Sequence, residues 1–174
     1  HAANPENPMV ALETGYARTT RGIYTRDDKK AYLSSYGTAS ARSWGSVAET
    51  DYVAGGFVWN GMDYRGEPAP FDWPATTSQY GIMDTCGFPK DDYYAYKSIW
   101  SDETVLHLFP HWNWTDGETI DVQCHTNCES VELFLNGESQ GRQDVQPYSS
   151  PSWKVEWEPG VLSAKCYQDG EVVA

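Results

Sequence analysis

Two short apolar runs, each closed by a polar side chain and a turn, set the rhythm of the first half of the chain. Met9-Val10-Ala11-Leu12 ends at Glu13-Thr14-Gly15. Gly55-Gly56-Phe57-Val58-Trp59 breaks at Asn60-Gly61 and delivers Trp59, Asp63 and Glu67 into the following loop. Both read as short strands of the parallel kind, apolar on both faces, with polar and aromatic residues bunched past their carboxyl ends where packing does not call for them. Between the runs, residues 17–40 are polar, carry Arg18, Arg21 and Arg26 without a sustained period, and read as loop. Trp44, Val47, Ala48 and Tyr52 then recur at helical spacing, with Ser43 as the cap before them. After the second run, residues 68–88 are rich in Pro, Gly and Thr and read as an ordered excursion over the strand ends. Asp91 and Asp92 open a second helix whose face carries Tyr93, Tyr96, Lys97 and Trp100. The order strand, helix, strand, helix is that of a parallel α/β fold, whose sites lie at the carboxyl ends of the strands.

From about residue 102 the period changes. Ile120, Val122 and Cys124 alternate with Asp121, Gln123 and His125, and Val131, Leu133 and Leu135 alternate in the same way, as half-buried strands do. Asn136-Gly137 and Asp169-Gly170 are hairpin turns, and 153–157 and 161–167 supply further strands. The expectation is an antiparallel β-sandwich over 102–174, after an α/β portion over 1–101. Two strands and two helices cannot close a β/α barrel, so a piece of a larger protein is expected.

Composition narrows the partners. The 174 residues carry a formal net charge of −13, which repels phosphate backbones and anionic lipid and excludes nucleic acid and membrane surfaces. No apolar run approaches the ~20 residues of a membrane span. Eight Trp and twelve Tyr exceed the needs of a core and suit neutral sugar rings or interfaces. Cys86, Cys124, Cys128 and Cys166 lack the spacing of a zinc ribbon, and buried free thiols are favoured over a disulfide such as Cys124 with Cys166. A bridge would place the chain in an oxidising compartment, and the balance leans to a periplasmic or secreted setting. His107, His111 and His125 lack a ligand-spaced partner set, so neither metal nor cofactor is expected.

Longer motifs carry a resemblance. Leu12-Glu13-Thr14 with Arg21-Gly22, Gly56-Phe57-Val58-Trp59 with Asp63-Tyr64 and Gly66-Glu67-Pro68, then Tyr80-Gly81-Ile82-Met83-Asp84 and Gly87-Phe88-Pro89-Lys90-Asp91, resemble the catalytic barrel of glycoside hydrolase family 2, especially its bacterial β-galactosidases. Leu108-Phe109-Pro110-His111-Trp112-Asn113-Trp114 and Val131-Glu132-Leu133-Phe134-Leu135-Asn136-Gly137 resemble the immunoglobulin-like domain that follows it. The resemblance implies the last two strands of a (β/α)8 TIM barrel and then an immunoglobulin-like sandwich. It makes Glu13 the nucleophile of a retaining hydrolase acting on terminal β-galactosides, and places Trp59 at the floor of the sugar subsite. Retention needs a second carboxyl roughly 5–5.5 Å away as acid/base. The family supplies it as a Glu after an Asn on an earlier strand, and no such pair closes a strand here.

Asn60 and Asp63 fall where substrate contacts are implied. Asp63 and Glu67 can equally hold the loop through hydrogen bonds to backbone amides, and Arg21 suits a carboxylate near the barrel mouth. Glucuronidases of the family carry Asn-x-Lys-Gly, and the matching Ser78-Gln79-Tyr80-Gly81 lacks the Lys. The implied partners are a carbohydrate substrate, the remainder of the parent enzyme and, through open strand edges, a second copy. The rival reading is a non-catalytic carbohydrate-binding module with Trp112, Trp114, Trp153 and Trp157 on the sandwich as its face.

Overall fold

The structure is a computed structural model that describes residues 2–15, 19–24, 38–68 and 71–174. Arg18, Arg26 and most of the expected 17–40 loop lie outside the described residues. The chain divides into two compact units, His1–Tyr93 and Tyr94–Ala174.

In the first unit β1 (Met9–Thr14) and β2 (Val53–Val58) pair in parallel, with Ala11 opposite Gly56 and Thr14 opposite Val58. Between them in sequence lies α1 (Thr38–Ala48), which packs on both strands. Ala41, Gly45 and Val47 are buried, so small side chains let the helix approach closely. The helix starts five residues before the expected cap: Ser43 lies within it and Tyr52 beyond it. Ser43 is recruited instead by the strand end, where its Oγ accepts from Gly15 N at 3.1 Å. The strands are less buried than their sequences suggest, with Leu12 81% and Phe57 64% exposed. Among the described residues each strand has one neighbour and one covering helix, so only one face is shielded. The second helix, α2 (Asp91–Trp100), begins with Asp91 and Asp92 in its first turn, as the sequence indicates.

The second unit is a β-sandwich. One sheet orders β3 (Leu106–Phe109), β4 (Thr119–Thr126) and β7 (Ser152–Glu156). The other orders β6 (Glu138–Asp144), β5 (Ser130–Leu135), β8 (Leu162–Gln168) and β9 (Glu171–Val172), and every pairing in both sheets is antiparallel. Period-two alternation turns Ile120, Val122 and Cys124 of one sheet and Val131, Leu133 and Leu135 of the other into one core with Trp153 and Val155. Asn136-Gly137 and Asp169-Gly170 close the β5–β6 and β8–β9 hairpins with all four residues at positive φ, as a two-residue primed turn requires.

The four sandwich tryptophans belong to the core, not to an exposed platform. Trp153 is buried, and Trp112, Trp114 and Trp157 pack against the same cluster. Trp112 Nε1 donates to Glu158 O at 3.0 Å and Trp114 Nε1 to His111 O at 2.7 Å. The cysteine expectation also needs correction. Cys128 and Cys166 form a disulfide with Cα atoms 5.9 Å apart, while Cys86 and Cys124 remain thiols. Cys124 sits on β4 with its side chain in the core, and burial pushes its thiol up to about 12. Cys128 lies past the end of β4, where the chain crosses to the other sheet, and meets Cys166 on β8 there.

Candidate active site

The carboxyl ends of β1 and β2 bring the expected residues together at one end of the parallel pair. Glu13 is exposed at the end of β1, and Thr14 beside it stitches the strands: Thr14 Oγ1 donates to Phe57 O at 3.2 Å and Trp59 N donates to Thr14 O at 3.0 Å. Two serines of α1 fix the next residue. Ser43 Oγ accepts from Gly15 N, and Ser40 Oγ donates to Gly15 O at 3.4 Å. Ser40 and Ser43 stand three apart, hence on one helix face, and this is why a helix that looks polar in sequence seats firmly on a strand end. An open depression of about 280 Å³ lies there, lined by Glu13, Thr14, Gly15, Ala39 and Ser43.

Trp59 follows β2 directly and is 42% exposed, so part of its indole faces solvent while its edge meets the Tyr64 ring at 6.0 Å. From Asn60 the chain runs parallel to residues 80–83. Ile82 N donates to Asn60 O at 2.9 Å, Met83 N to Gly61 O at 3.1 Å and Asp63 N to Met83 O at 2.9 Å. The Asn60 backbone is thus pinned, and its Oδ1 is buried without a hydrogen-bond partner among the described residues. Gly81 fits this approach only because it lacks a side chain: a Cβ would stand 2.1 Å from Asp63 N.

Asp63 turns inward. Its Oδ1 accepts from Gly81 N at 2.8 Å, and Lys90 Nζ lies 2.8 Å from both carboxylate oxygens. Lys90 is 1% exposed at its side chain and also donates to Thr19 O at 2.7 Å and Gln79 O at 3.4 Å, which uses all three ammonium protons. Burial pushes Asp63 up and Lys90 down, and each is offset by the charge and hydrogen bond of the other. Below Lys90, Asp92 accepts from Thr19 Oγ1 at 3.1 Å, and its burial raises its carboxyl to about 6. Nearer solvent, Arg21 Nε donates to Asp84 Oδ2 at 2.7 Å, the carboxylate partner expected for it, and its guanidinium lies 4.8 Å over the Phe88 ring. That bond holds the Asp84 carboxyl below its ordinary value. Tyr64 Oη donates to Glu67, which closes the loop's outer turn.

Known proteins resemble this chain over most of its length. A β-galactosidase, BoGH2A, of Bacteroides ovatus is 41% identical across 98% of this chain and 23% of its own length. A putative β-glucuronidase of Formosa agariphila is 35% identical across 85% of the chain and 16% of its own. Among solved structures, a β-glycosidase from Bacteroides vulgatus superposes with a TM-score of 0.82 at 27% identity, over 94% of this chain and 26% of that one. A glycosyl hydrolase family 2 member from Bacteroides cellulosilyticus superposes with a TM-score of 0.70 at 26% identity, over 99% of the chain and 22% of its own. This chain belongs to glycoside hydrolase family 2. It spans between 16% and 26% of the length of these proteins. A family described as a domain of unknown function, DUF4982, matches residues 117–174, within the sandwich of this family 2 chain.

The cluster of Lys90, Asp63, Asp92 and Thr19 was not read from the sequence of this family 2 chain as a unit. Asp92, with Asp91, reads as the polar start of a helix, which is normally solvated, and Lys90 stands only within the motif before it. The available signal was Gly87-Phe88-Pro89-Lys90-Asp91, a turn with Pro immediately before the Lys, but nothing in spacing alone points a lysine inward.

Proposed function

We propose that residues 1–101 are the last two strands and helices of a (β/α)8 barrel and residues 102–174 an immunoglobulin-like domain, within a longer enzyme that hydrolyses terminal β-galactosides with retention. Glu13 is the nucleophile. The observation that carries this reading is Glu13 at the carboxyl end of β1, open to solvent beside a depression, with Trp59 emerging from the end of the neighbouring strand. A carboxylate there attacks the anomeric carbon as the aglycone departs, forming a glycosyl ester that water then cleaves. A second carboxyl, from outside this chain, protonates the leaving oxygen and then activates the water. The half-exposed indole of Trp59 offers the apolar face of a pyranose a stacking surface. Asn60 and Asp63 serve this site from beneath: both are tied into the 80–83 segment, so their contribution is the placement of Trp59.

Galactose is favoured over a uronic acid on two grounds. The β-galactosidase relative is more similar than the β-glucuronidase one. The stretch matching the glucuronidase signature is also spent on the loop itself: Ser78 Oγ accepts from Tyr64 N at 3.1 Å, and Gln79 O accepts from Lys90. The test is turnover of nitrophenyl β-galactoside and nitrophenyl β-glucuronide by the full-length enzyme and its Glu13→Gln variant. Preferred hydrolysis of the galactoside, reduced at least about 10³-fold in the variant, is expected. Equal turnover by the variant would remove Glu13 from the chemistry, and preference for the glucuronide would reverse the substrate assignment.

A further inference from the structure

Three separate stretches meet at one buried nitrogen. Lys90 Nζ lies 2.7 Å from Thr19 O in the segment after β1, 2.8 Å from the Asp63 carboxylate and 3.4 Å from Gln79 O, the last two in the segment after β2. The lysine is itself locked to that second segment, since Lys90 N donates to Ile82 O at 2.9 Å. Thr19 is fixed from two further sides, with its N donating to Gln79 O at 3.2 Å and its Oγ1 to Asp92. Ladder bonds through residues 80–83 then carry the constraint back to Asn60 and Gly61, one and two residues past Trp59.

We propose that Lys90 is a positioning residue for the glycosidase site, its buried ammonium tethering the segment that follows Glu13 to the segment that follows Trp59. The inference rests on the reading of Glu13 and Trp59 given above. A buried ion pair is a poor source of net stability, because the desolvation of both charges cancels much of their attraction and an apolar pair of similar volume often serves as well. What an apolar pair cannot do is hydrogen-bond three backbone groups, Thr19 O, Gln79 O and Gly81 N, on the two segments at once. A methionine has no donor for Thr19 O or Gln79 O, so the bond from Thr19 N to Gln79 O is left between the two loops and the side-chain tether is lost even where the fold survives. Misplacement of groups around a reacting centre by about 1 Å costs on the order of 10²-fold in rate.

The experiment uses the full-length enzyme as wild type, Lys90→Met and the apolar pair Lys90→Met/Asp63→Leu. Working sites are counted with 2,4-dinitrophenyl 2-deoxy-2-fluoro-β-galactoside, so that kcat/KM is expressed per titrated site, and melting temperatures are recorded alongside. A fall of about 10- to 100-fold in kcat/KM per titrated site, present also in the apolar pair while its melting temperature stays near wild type, is expected. Wild-type kcat/KM per site in either variant, with only the number of sites reduced, would overturn the proposal by making Lys90 a purely structural residue. Failure of both variants to fold would overturn it in the same sense. Absence of titratable sites and turnover in the wild type would instead remove the functional reading and the proposal together.

Discussion

Asp92 shows how burial sets the behaviour of a single carboxyl. With its side chain enclosed among Thr19, Ser40 and the helix start, its folded value is raised from 3.8 to about 6. A carboxyl raised by folding contributes stability that is fully present below the unfolded value near 3.8 and is lost as pH rises through about 6. Asp92→Asn keeps the acceptor for Thr19 and removes the titration. Melting curves between pH 4 and 7 should therefore show the variant gaining on the wild type as pH rises, by up to about 3 kcal/mol. A difference that does not change with pH would contradict the assignment. Glu13 and Trp59 lie exposed at the strand ends where the apolar runs place them, and the role proposed for Glu13 comes from the family motif around it, since a Glu closing a strand is by itself an ordinary surface residue. Asp63 carries the same sequence cue and yet points inward, since whether a loop carboxylate meets solvent or a lysine twenty-seven residues away depends on a tertiary contact that local pattern does not encode.

Among the elements, strands and hairpins were read most readily. Alternation over β4 and β5 and the Asn-Gly and Asp-Gly pairs place the sandwich strands because a two-residue primed turn and a one-faced sheet each leave a direct mark on sequence. The helix α1 was misplaced by several residues because its seat on β1 is made by Ser40, Ala41 and Ser43, polar and small side chains that give little hydrophobic period. The disulfide was missed for a related reason: Cys124 and Cys128 are four residues apart, but Cys124 fills the core from within β4 while Cys128 lies past the strand end, where it meets Cys166 of the other sheet. Closing a loop with a sequence separation of 38 is worth roughly 4 kcal/mol in the chain-entropy account. Reduction, or Cys128→Ser with Cys166→Ser, should lower the stability of the sandwich by about 2–4 kcal/mol, and thiol counting on the unfolded, unreduced protein should find two reactive groups per chain. Four thiols, or no change on reduction, would contradict the bridge.

For the whole molecule, the net charge of −13 and the aromatic content point to a neutral, ring-shaped ligand more strongly than to any polyanion. The chain supplies the end of one parallel strand that carries a carboxylate, the end of a second that carries an indole, and a buried lysine that braces the loops leaving both. It covers 23% of the length of its β-galactosidase relative, and on the proposed reading the acid/base and the rest of the sugar site belong to the longer enzyme. On the proposed reading Glu13 forms the covalent bond to the sugar. The most direct test of that bond is to inactivate the full-length enzyme with 2,4-dinitrophenyl 2-deoxy-2-fluoro-β-galactoside, digest it and locate the fluorogalactosyl ester by mass. The label is expected on Glu13, in a peptide containing Met9-Val10-Ala11-Leu12-Glu13. An ester on any other carboxylate, with Glu13 unmodified, would contradict the account.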